Sequence, residues 1–321
     1  MHYFNNGMPS LGLGLWKIPQ DQTADLVYQA ANIGYRHFDA ACDYGNEQQT
    51  GEGLQRAIQD KICAREQLFL VSKLWNTFHR PEHVKIALQK TLKDLQTEYL
   101  DLFMMHFPIS LKYVPIETRY PPEWFYDPSV AAPKMEIDPV PLAQTWAAME
   151  ALVEAGLVRQ IGVCNFNTGL LNDLLAYAKI KPSVVQVESH PFLTQNPLIK
   201  QCQQNGIHVT AFSPLGASSY VELDMASPED VLLQHPLIEQ LAQNYTKSCA
   251  QILLRFGLQR QTAVICKSTQ VARLEENFKI FDFELSQDHM DQISSLNRNQ
   301  RYNDPGVFCE KAFNCFYPIY D

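Results

Sequence analysis

The sequence predicts an α/β fold in which eight strands and their helices close into a (β/α)8 TIM barrel. Two observations carry this prediction: eight short apolar runs recur along the chain, and helical patterns separate them. Runs rich in Val, Ile, Leu and Phe suit strands that are buried on both faces. Eight such strands favour a closed barrel over an open sheet. The predicted strands are Leu11–Trp16, His37–Ala41, Leu68–Leu74, Leu100–His106, Gln160–Asn165, Val184–Glu188, His208–Ser213 and Ala263–Lys267.

Helical patterns fill the intervals, and the alternation of strand and helix implies a parallel sheet. The competing fold is a doubly wound nucleotide-binding sheet, but its G-x-G-x-x-G turn is missing. Gly12 and Gly14 lead into Leu-Trp-Lys, and Gly51 and Gly53 fall within a predicted helix. The predicted helices are Thr23–Ile33, Asn46–Gln59, Glu82–Leu95, Leu142–Ala155, Leu170–Lys179, Leu198–Asn205, Pro236–Asn244 and Cys249–Gly257.

Two long connections, Pro108–Pro141 and Pro214–Pro236, each follow a predicted strand. Structureless connections of this length are usually lids or binding loops. Because both leave the carboxyl ends of barrel strands, we expect them at the face where barrel active sites lie. The tail after Asn297 is rich in aromatic residues and is expected to pack over the same mouth.

The composition excludes several classes of protein. With 46% hydrophobic and 19% charged residues, the chain can bury a large core and is not disordered. Its net charge of 26 − 35 = −9 argues against general nucleic-acid binding. The 321 residues show no repeat or linker, so we expect one domain over residues 1–321.

The sequence also predicts a cytoplasmic protein without a membrane span or a metal. No run of 18 apolar residues is present, and the first residues lack the pattern of a signal peptide. The 8 cysteines are scattered without CxxC pairs, as expected for reduced thiols. His79 and His83 have helical spacing but no third ligand, so we interpret them as part of a solvated helix face.

Four polar residues stand where acid–base chemistry would be expected. Asp39, Lys73 and His106 end three successive predicted strands, and Tyr44 lies in the loop after the first of them. Barrel strand ends converge on one mouth, so these groups are expected to be neighbours. A tyrosine is a poor acid–base catalyst at neutral pH, but a nearby ammonium stabilises the phenolate and is expected to lower the pKa of the hydroxyl. Each residue alone is more simply explained as an ion pair or a structural histidine, so their joint placement carries the hypothesis.

The sequence resembles the aldo-keto reductase superfamily over nearly its whole length. The resemblance rests on many motifs in order and at the family's spacing. The motifs are Gly34-Tyr-Arg-His-Phe-Asp39, Tyr44-Gly-Asn-Glu47, Val71-Ser-Lys73-Leu-Trp75-Asn, Tyr99-Leu-Asp-Leu-Phe-Met-Met-His106, Ile161-Gly-Val-Cys-Asn165-Phe, Lys181-Pro-Ser, Gln186-Val-Glu188-Ser-His190-Pro and Lys267-Ser268 with Arg273, Glu276 and Asn277.

The resemblance implies a barrel that binds a nicotinamide cofactor without a Rossmann domain, closed at the bottom by an N-terminal hairpin around His2–Met8. It implies that Tyr44 is the general acid in carbonyl reduction, tuned by Lys73 and Asp39. His106 would position the carbonyl, and the cofactor would supply the hydride.

The resemblance also implies the cofactor contacts. Cys164 stands where relatives usually have Ser, and Phe212 where many have Tyr; ring stacking needs only the aromatic face. Lys267 and Arg273 would bind a 2′-phosphate, which favours NADPH and leaves NADH as a secondary cofactor. The alternative is that both are ordinary surface cations, which is disfavoured because two cations stand at the family's phosphate-site positions in an acidic chain. The complete set is Cys164, Asn165, Gln186, Phe212, Ser213, Leu215, Lys267, Ser268, Thr269, Arg273, Glu276 and Asn277.

Within the superfamily the sequence is most similar to the xylose reductase and sugar-phosphate reductase branch, through His106-Phe-Pro-Ile-Ser, Asp43-Tyr44 and Arg301-Tyr-Asn303-Asp-Pro. An uncharged aldose is the expected substrate. An aldose 6-phosphate reductase and a non-catalytic NADPH-binding barrel are the alternatives, and a homodimer stays open. A metal-dependent barrel hydrolase lacks its ligand cluster. The expected substrate contacts are Trp16, Asp43, Trp75, Phe107 and Asn303.

Overall fold

The computed structural model describes residues 2–320 and confirms the closed parallel barrel. Each strand pairs with the next, and β8 returns to pair with β1 through Leu11↔Val264 and its neighbours. The strands are β1 (Leu11–Gly14), β2 (His37–Asp39), β3 (Phe69–Leu74), β4 (Leu102–Met105), β5 (Ile161–Cys164), β6 (Val184–Glu188), β7 (His208–Phe212) and β8 (Thr262–Cys266).

Helices surround the barrel, and the eight helices predicted from periodicity are present within a few residues of their expected ends. They cover the outward face of the strands. In chain order the helices are α1 (Gln20–Ile33), α2 (Glu47–Gln59), α3 (Pro81–Asp94), α4 (Leu142–Glu154), α5 (Thr168–Tyr177), α6 (Asn196–Gln204), α7 (Ser218–Val221), α8 (Pro236–Tyr245), α9 (Cys249–Gln259), α10 (Val271–Phe278), α11 (Gln287–Ser294) and α12 (Pro305–Phe313).

Four of these helices, α7 and α10 to α12, were not predicted. α7 spans four residues, too short for helical periodicity to be recognised, whereas the other three span eight or nine residues. The start of α12 nevertheless has a local signal: Asp304 caps it by accepting a hydrogen bond from the Gly306 N–H at 2.8 Å, and Pro305 occupies the first turn.

The strands have two apolar faces because side chains alternate along a strand. Phe69, Val71, Leu102 and Met104 form a buried cluster inside the barrel, whereas neighbours such as Phe103 pack against the helices. This double burial explains why the strands are continuous apolar runs in the sequence.

The N-terminal segment closes the amino-terminal end of the barrel, as expected. Tyr3 and Pro9 form an antiparallel bridge, and the Phe4 N–H donates to the Met8 carbonyl at 2.9 Å. Met8 is fully buried and belongs to the cluster inside the barrel. The hairpin therefore contributes the lowest layer of the barrel interior.

The opposite end is covered by the two long connections and the tail. In the first connection, Trp124 packs against Phe313 of the tail with ring centroids 5.4 Å apart. The Met135 N–H donates to the Phe313 carbonyl at 2.9 Å. In the second, Glu222 forms an ion pair with Lys17 after β1. These contacts confirm that all three segments gather over the mouth.

Neither a membrane span nor a metal site was expected from the sequence. Within residues 2–320 no helix combines the length and apolar character needed to cross a membrane. The same residues contain no group of three or more His, Cys, Asp or Glu placed to hold a metal ion.

The close contact between α1 and α2 yields a stability prediction. A Cβ added at Gly53 would lie 2.4 Å from the Ala24 carbonyl oxygen and 2.9 Å from Val27 Cβ. Because the two backbones must separate, Gly53→Ala is expected to cost about 1–3 kcal/mol, measured as a lower unfolding midpoint in urea. Gly169→Ala is the control, since its Cβ would meet only Asn167 Oδ1 at 3.4 Å. Equal midpoints for the two variants would contradict this account of the packing.

Candidate active site

The site begins with a buried ion pair inside the carboxyl end of the barrel. Asp39 is the last residue of β2 and Lys73 lies near the end of β3. Asp39 pairs with Val71, two residues before Lys73, so both side chains point into the barrel. Each side chain is only 1% exposed. Lys73 Nζ lies 2.6 Å from Asp39 Oδ1, a distance typical of a charge-assisted hydrogen bond.

The ammonium of Lys73 has three acceptors for its three protons. Besides Asp39, it donates to the Ala40 carbonyl at 2.8 Å and to the Tyr44 hydroxyl at 3.1 Å. Burial is the largest influence on the pKa of Lys73 and would lower it. The charge and hydrogen bond of Asp39, together with Tyr44 and Cys164, outweigh burial, so the pKa of Lys73 lies above its ordinary value. Lys73 is therefore a fixed positive charge in contact with the phenol.

Tyr44 holds its proton in this environment. The expected lowering of the Tyr44 pKa does not occur. Burial raises the pKa of the hydroxyl, and although the charge of Lys73 opposes the rise, the pKa stays above its ordinary value. The resulting group is a neutral phenol, and the ammonium beside it is placed to stabilise the anion that remains once the proton has left.

His106 lies across the ring of Tyr44, with ring centroids 5.8 Å apart in an edge arrangement. Burial lowers the pKa of the His106 imidazole well below its ordinary value, and the charge of Lys73 lowers it further. The imidazole is thus neutral and can donate one N–H to an oxygen placed in the mouth. Asn165 Nδ2 donates to the His106 carbonyl at 2.8 Å, which joins the ends of β4 and β5.

The neighbouring strand ends carry amides expected to bind a nicotinamide carboxamide. Gln186 Nε2 donates to Asp39 Oδ2 at 2.7 Å, so this amide also completes the surroundings of the ion pair. Asn165 adopts a positive φ of 61° directly after β5. Cys164 points into the barrel interior, where its Sγ lies 3.8 Å from Met104 Sδ.

The end of β7 presents a half-buried aromatic ring, Phe212, followed by Ser213 at a positive φ of 50°. Ser213 Oγ shares a hydrogen bond of 2.9 Å with the Tyr220 hydroxyl on α7. Leu215 is half-buried and packs against the outer apolar core. This edge of the mouth therefore offers one ring face and a short polar segment.

Two exposed cations lie beyond the end of β8. Lys267 and Arg273 are exposed, and neither forms an ion pair within residues 2–320. The first turn of α10 has no side-chain cap on its N–H groups, and such a helix start favours phosphate. Two cations beside free backbone donors fit the phosphate of a phosphorylated dinucleotide. The other residues expected in this region are on the same loop and helix: Ser268, Thr269, Glu276 and Asn277.

An aromatic wall lines the other side of the mouth. Phe107 lies 5.0 Å from the ring of His106 and 5.4 Å from that of Trp124. Trp75 is fully buried behind Trp124, which covers it at 4.9 Å, and its Nε1 donates to the Glu123 carbonyl at 3.0 Å. In this arrangement Trp75 supports the wall from behind.

Three further residues were expected to contact the substrate, namely Asp43, Asn303 and Trp16. Burial, and then the nearby charge of Glu123, raises the pKa of Asp43 to about 7. Asn303 Nδ2 lies 3.5 Å from the Tyr220 hydroxyl, whereas its Oδ1 is buried without a partner among residues 2–320. Trp16 is half-buried against Tyr220 at 5.9 Å. Asn303 therefore keeps one acceptor that no protein group within residues 2–320 uses.

Sequence reasoning gave no role to Trp124, Glu123 or Tyr220, which the structure places around the mouth. All three come from the long connections, where no periodic pattern fixes the direction of a side chain. The aromatic composition of these segments was the only available signal.

The ion pair yields a second prediction. Removing one partner leaves a buried charge uncompensated, so Lys73→Met and Asp39→Asn are each expected to lose about 3–5 kcal/mol of stability. The double variant should lose less than the sum of the two, because it buries no lone charge. Denaturant unfolding of all four proteins measures this coupling, and purely additive losses would contradict it.

Comparisons with known proteins agree with this geometry. The Aldo/keto reductase family model matches residues 5–298. A probable NAD(P)H-dependent D-xylose reductase of Arthroderma otae is 50% identical over 315 residues, covering 98% of this chain and 94% of that protein. The NADPH-dependent D-xylose reductase of Candida boidinii is 47% identical over 305 residues, covering 94% of each chain.

A solved aldose reductase from Schistosoma japonicum superposes with a TM-score of 0.85 at 37% identity, covering 99% of this chain and 97% of the other. Since the family model spans most of the sequence and the relatives match over nearly their full length, this chain belongs to the aldo/keto reductase family.

Proposed function

We propose that this protein reduces an open-chain aldose of the xylose type to the alcohol, with NADPH as the hydride donor. One observation carries the proposal: Lys73 Nζ touches both the Asp39 carboxylate and the Tyr44 hydroxyl, across from a neutral His106. The names of the similar proteins, D-xylose and aldose reductases, support the same class of reaction.

Bound nicotinamide cofactor supplies the hydride chemistry. The chain's own residues move the proton: Tyr44 donates its phenolic hydrogen to the carbonyl oxygen of the substrate, and Lys73 stabilises the phenolate that remains. Asp39 keeps Lys73 charged and in place. His106 donates an N–H to the same carbonyl oxygen and so orients the aldehyde.

The cofactor preference follows from charge. Lys267 and Arg273 are exposed cations beside the uncapped start of α10, and a 2′-phosphate would use both. NADH lacks this phosphate, so it is proposed only as a secondary cofactor. Asn165, Gln186 and Phe212 would hold the nicotinamide end.

An uncharged aldose is favoured over an aldose 6-phosphate because the cations of the first long connection are already engaged. Lys112 forms an ion pair with Glu136 at 3.2 Å. The Arg119 guanidinium donates to carbonyls of its own loop, including Pro122 at 3.0 Å. Of the three cations in this connection, Lys134 alone is exposed and without such a bond within residues 2–320.

Two further proposals concern the protein as a whole. All eight cysteines are free thiols, which supports a reducing, cytoplasmic location. A homodimer stays a prediction, and light scattering of the purified protein tests it.

The central test is Tyr44→Phe with a substrate panel. Loss of the general acid is expected to lower kcat for xylose by roughly 100-fold to 10,000-fold while NADPH binding, followed by fluorescence, is retained. Tyr28→Phe is the control, because its hydroxyl contacts only the exposed Asp60 on the outside of the barrel. If the wild-type protein binds NADPH but reduces neither xylose, glyceraldehyde nor nitrobenzaldehyde, the non-catalytic alternative replaces this proposal. Faster reduction of glucose 6-phosphate than of xylose would favour the sugar-phosphate alternative.

Arg273→Ala tests the cofactor preference. Loss of charge-assisted hydrogen bonds to phosphate is expected to raise the NADPH dissociation constant by about tenfold or more, and to leave that of NADH nearly unchanged. Lys279→Ala, an exposed cation just after α10, serves as the matched control. Equal weakening of NADPH and NADH in Arg273→Ala would remove the 2′-phosphate assignment.

A further inference from the structure

A second buried carboxylate lies at the mouth, at the end of β6. Glu188 is fully buried and accepts hydrogen bonds on both oxygens. Its Oε1 pairs with His190 Nε2 at 2.9 Å and accepts the Tyr302 N–H at 2.9 Å. Its Oε2 accepts the Asn303 N–H at 2.8 Å. A carboxylate from the barrel wall thus binds two successive backbone amides of the tail.

These bonds are strong because one partner is a carboxylate and the group is shielded from water. Because one carboxylate binds two consecutive N–H groups, it fixes both the position and the orientation of the backbone at Tyr302 and Asn303. The Tyr302 ring adds to this by stacking on His190, with centroids 5.2 Å apart.

The side chain of Asn303 is supported from the other side of the mouth. Its Nδ2 lies 3.5 Å from the Tyr220 hydroxyl, which is itself bonded to Ser213 Oγ at 2.9 Å. The buried Oδ1 is left as an acceptor without a partner within residues 2–320. Asn303 is therefore held at its backbone by Glu188 and at its amide by Tyr220, with one acceptor left open.

The strand β6 connects this arrangement to the ion pair. Gln186 and Glu188 are two residues apart, so both side chains point inward. Gln186 contacts Asp39, and Glu188 holds the tail. One strand thus contacts both the ion pair and the tail segment that carries Asn303.

We propose that Glu188 is a positioning residue that sets the place of Asn303 and thereby the affinity for the hydroxyl groups of a polyhydroxylated aldehyde. The identity of the ligand rests on the proposed function, whereas the anchoring of the tail does not. Glu188 does not touch the reacting atoms, so its effect is confined to substrates that present hydroxyls to Asn303.

The kinetic test uses Glu188→Gln with two substrates. The variant loses the carboxylate charge and keeps one acceptor oxygen for two backbone N–H groups. These bonds weaken, so the KM for xylose is expected to rise about tenfold or more, with a smaller change in kcat. For propanal, which has no hydroxyl to contact Asn303, kcat/KM should change little. Adding Glu188→Gln to Asn303→Ala should cause no further loss with xylose. Equal losses with xylose and propanal would overturn the proposal.

A second measurement does not depend on activity. Hydrogen exchange of the Tyr302 and Asn303 amides is expected to accelerate in Glu188→Gln, whatever the protein reduces. Unchanged protection of these amides would overturn the anchoring. A wild-type protein without reductase activity would defeat the proposed function alone, and the exchange result would still decide the role of Glu188 in holding the tail.

Glu150→Gln is the matched control. Glu150 on α4 is a buried carboxylate whose Oε1 accepts the Lys179 and Ile180 N–H groups at 2.7 and 2.8 Å, far in sequence from the tail. It should accelerate exchange at those two amides and leave the KM for xylose unchanged.

If Glu188→Gln does not fold, Glu188→Asp retains the charge but withdraws the carboxylate by one methylene. The same selective rise in KM and faster exchange at Tyr302 and Asn303 are expected, and normal values of both would overturn the proposal.

Discussion

The chemistry of this protein depends on a single ion pair buried among the strands, that of Lys73 with Asp39. Two opposite charges taken out of water are tolerated only where each finds further partners, and here the Ala40 carbonyl, Tyr44 and Gln186 supply them. Since these partners come from different strands and loops, the barrel must close correctly before the charges are satisfied. The closed sheet and the reacting phenol are thus coupled.

Around this pair the mouth is divided by charge. Exposed cations, Lys267 and Arg273, lie beyond β8, while the exposed Glu123 lies beside the aromatic wall, where its carbonyl accepts from Trp75. Positive charge on one side of the mouth favours one orientation of an anionic cofactor. The overall charge of −9 reveals nothing of this division, because it averages over the two sides.

The sequence was informative wherever a residue lies in or directly after a strand. Asp39, Lys73 and His106 could be placed together because parallel strand ends meet at one edge, and the structure brings them together. The contacts made by the connections could not be predicted. Trp124 covers Trp75, and Tyr220 reaches Asn303, only because long segments fold back over the mouth through contacts distant in sequence.

The anchoring of the tail through main-chain amides has a consequence for how such a protein diversifies. Glu188 recognises backbone N–H groups, and these persist whatever side chains follow them. The side chain at position 303 can therefore be exchanged by mutation while the backbone of the segment stays bound to Glu188, and Asp39, Tyr44 and Lys73 are unchanged. Mutations at this position can therefore change substrate preference without altering the residues that take part in proton transfer.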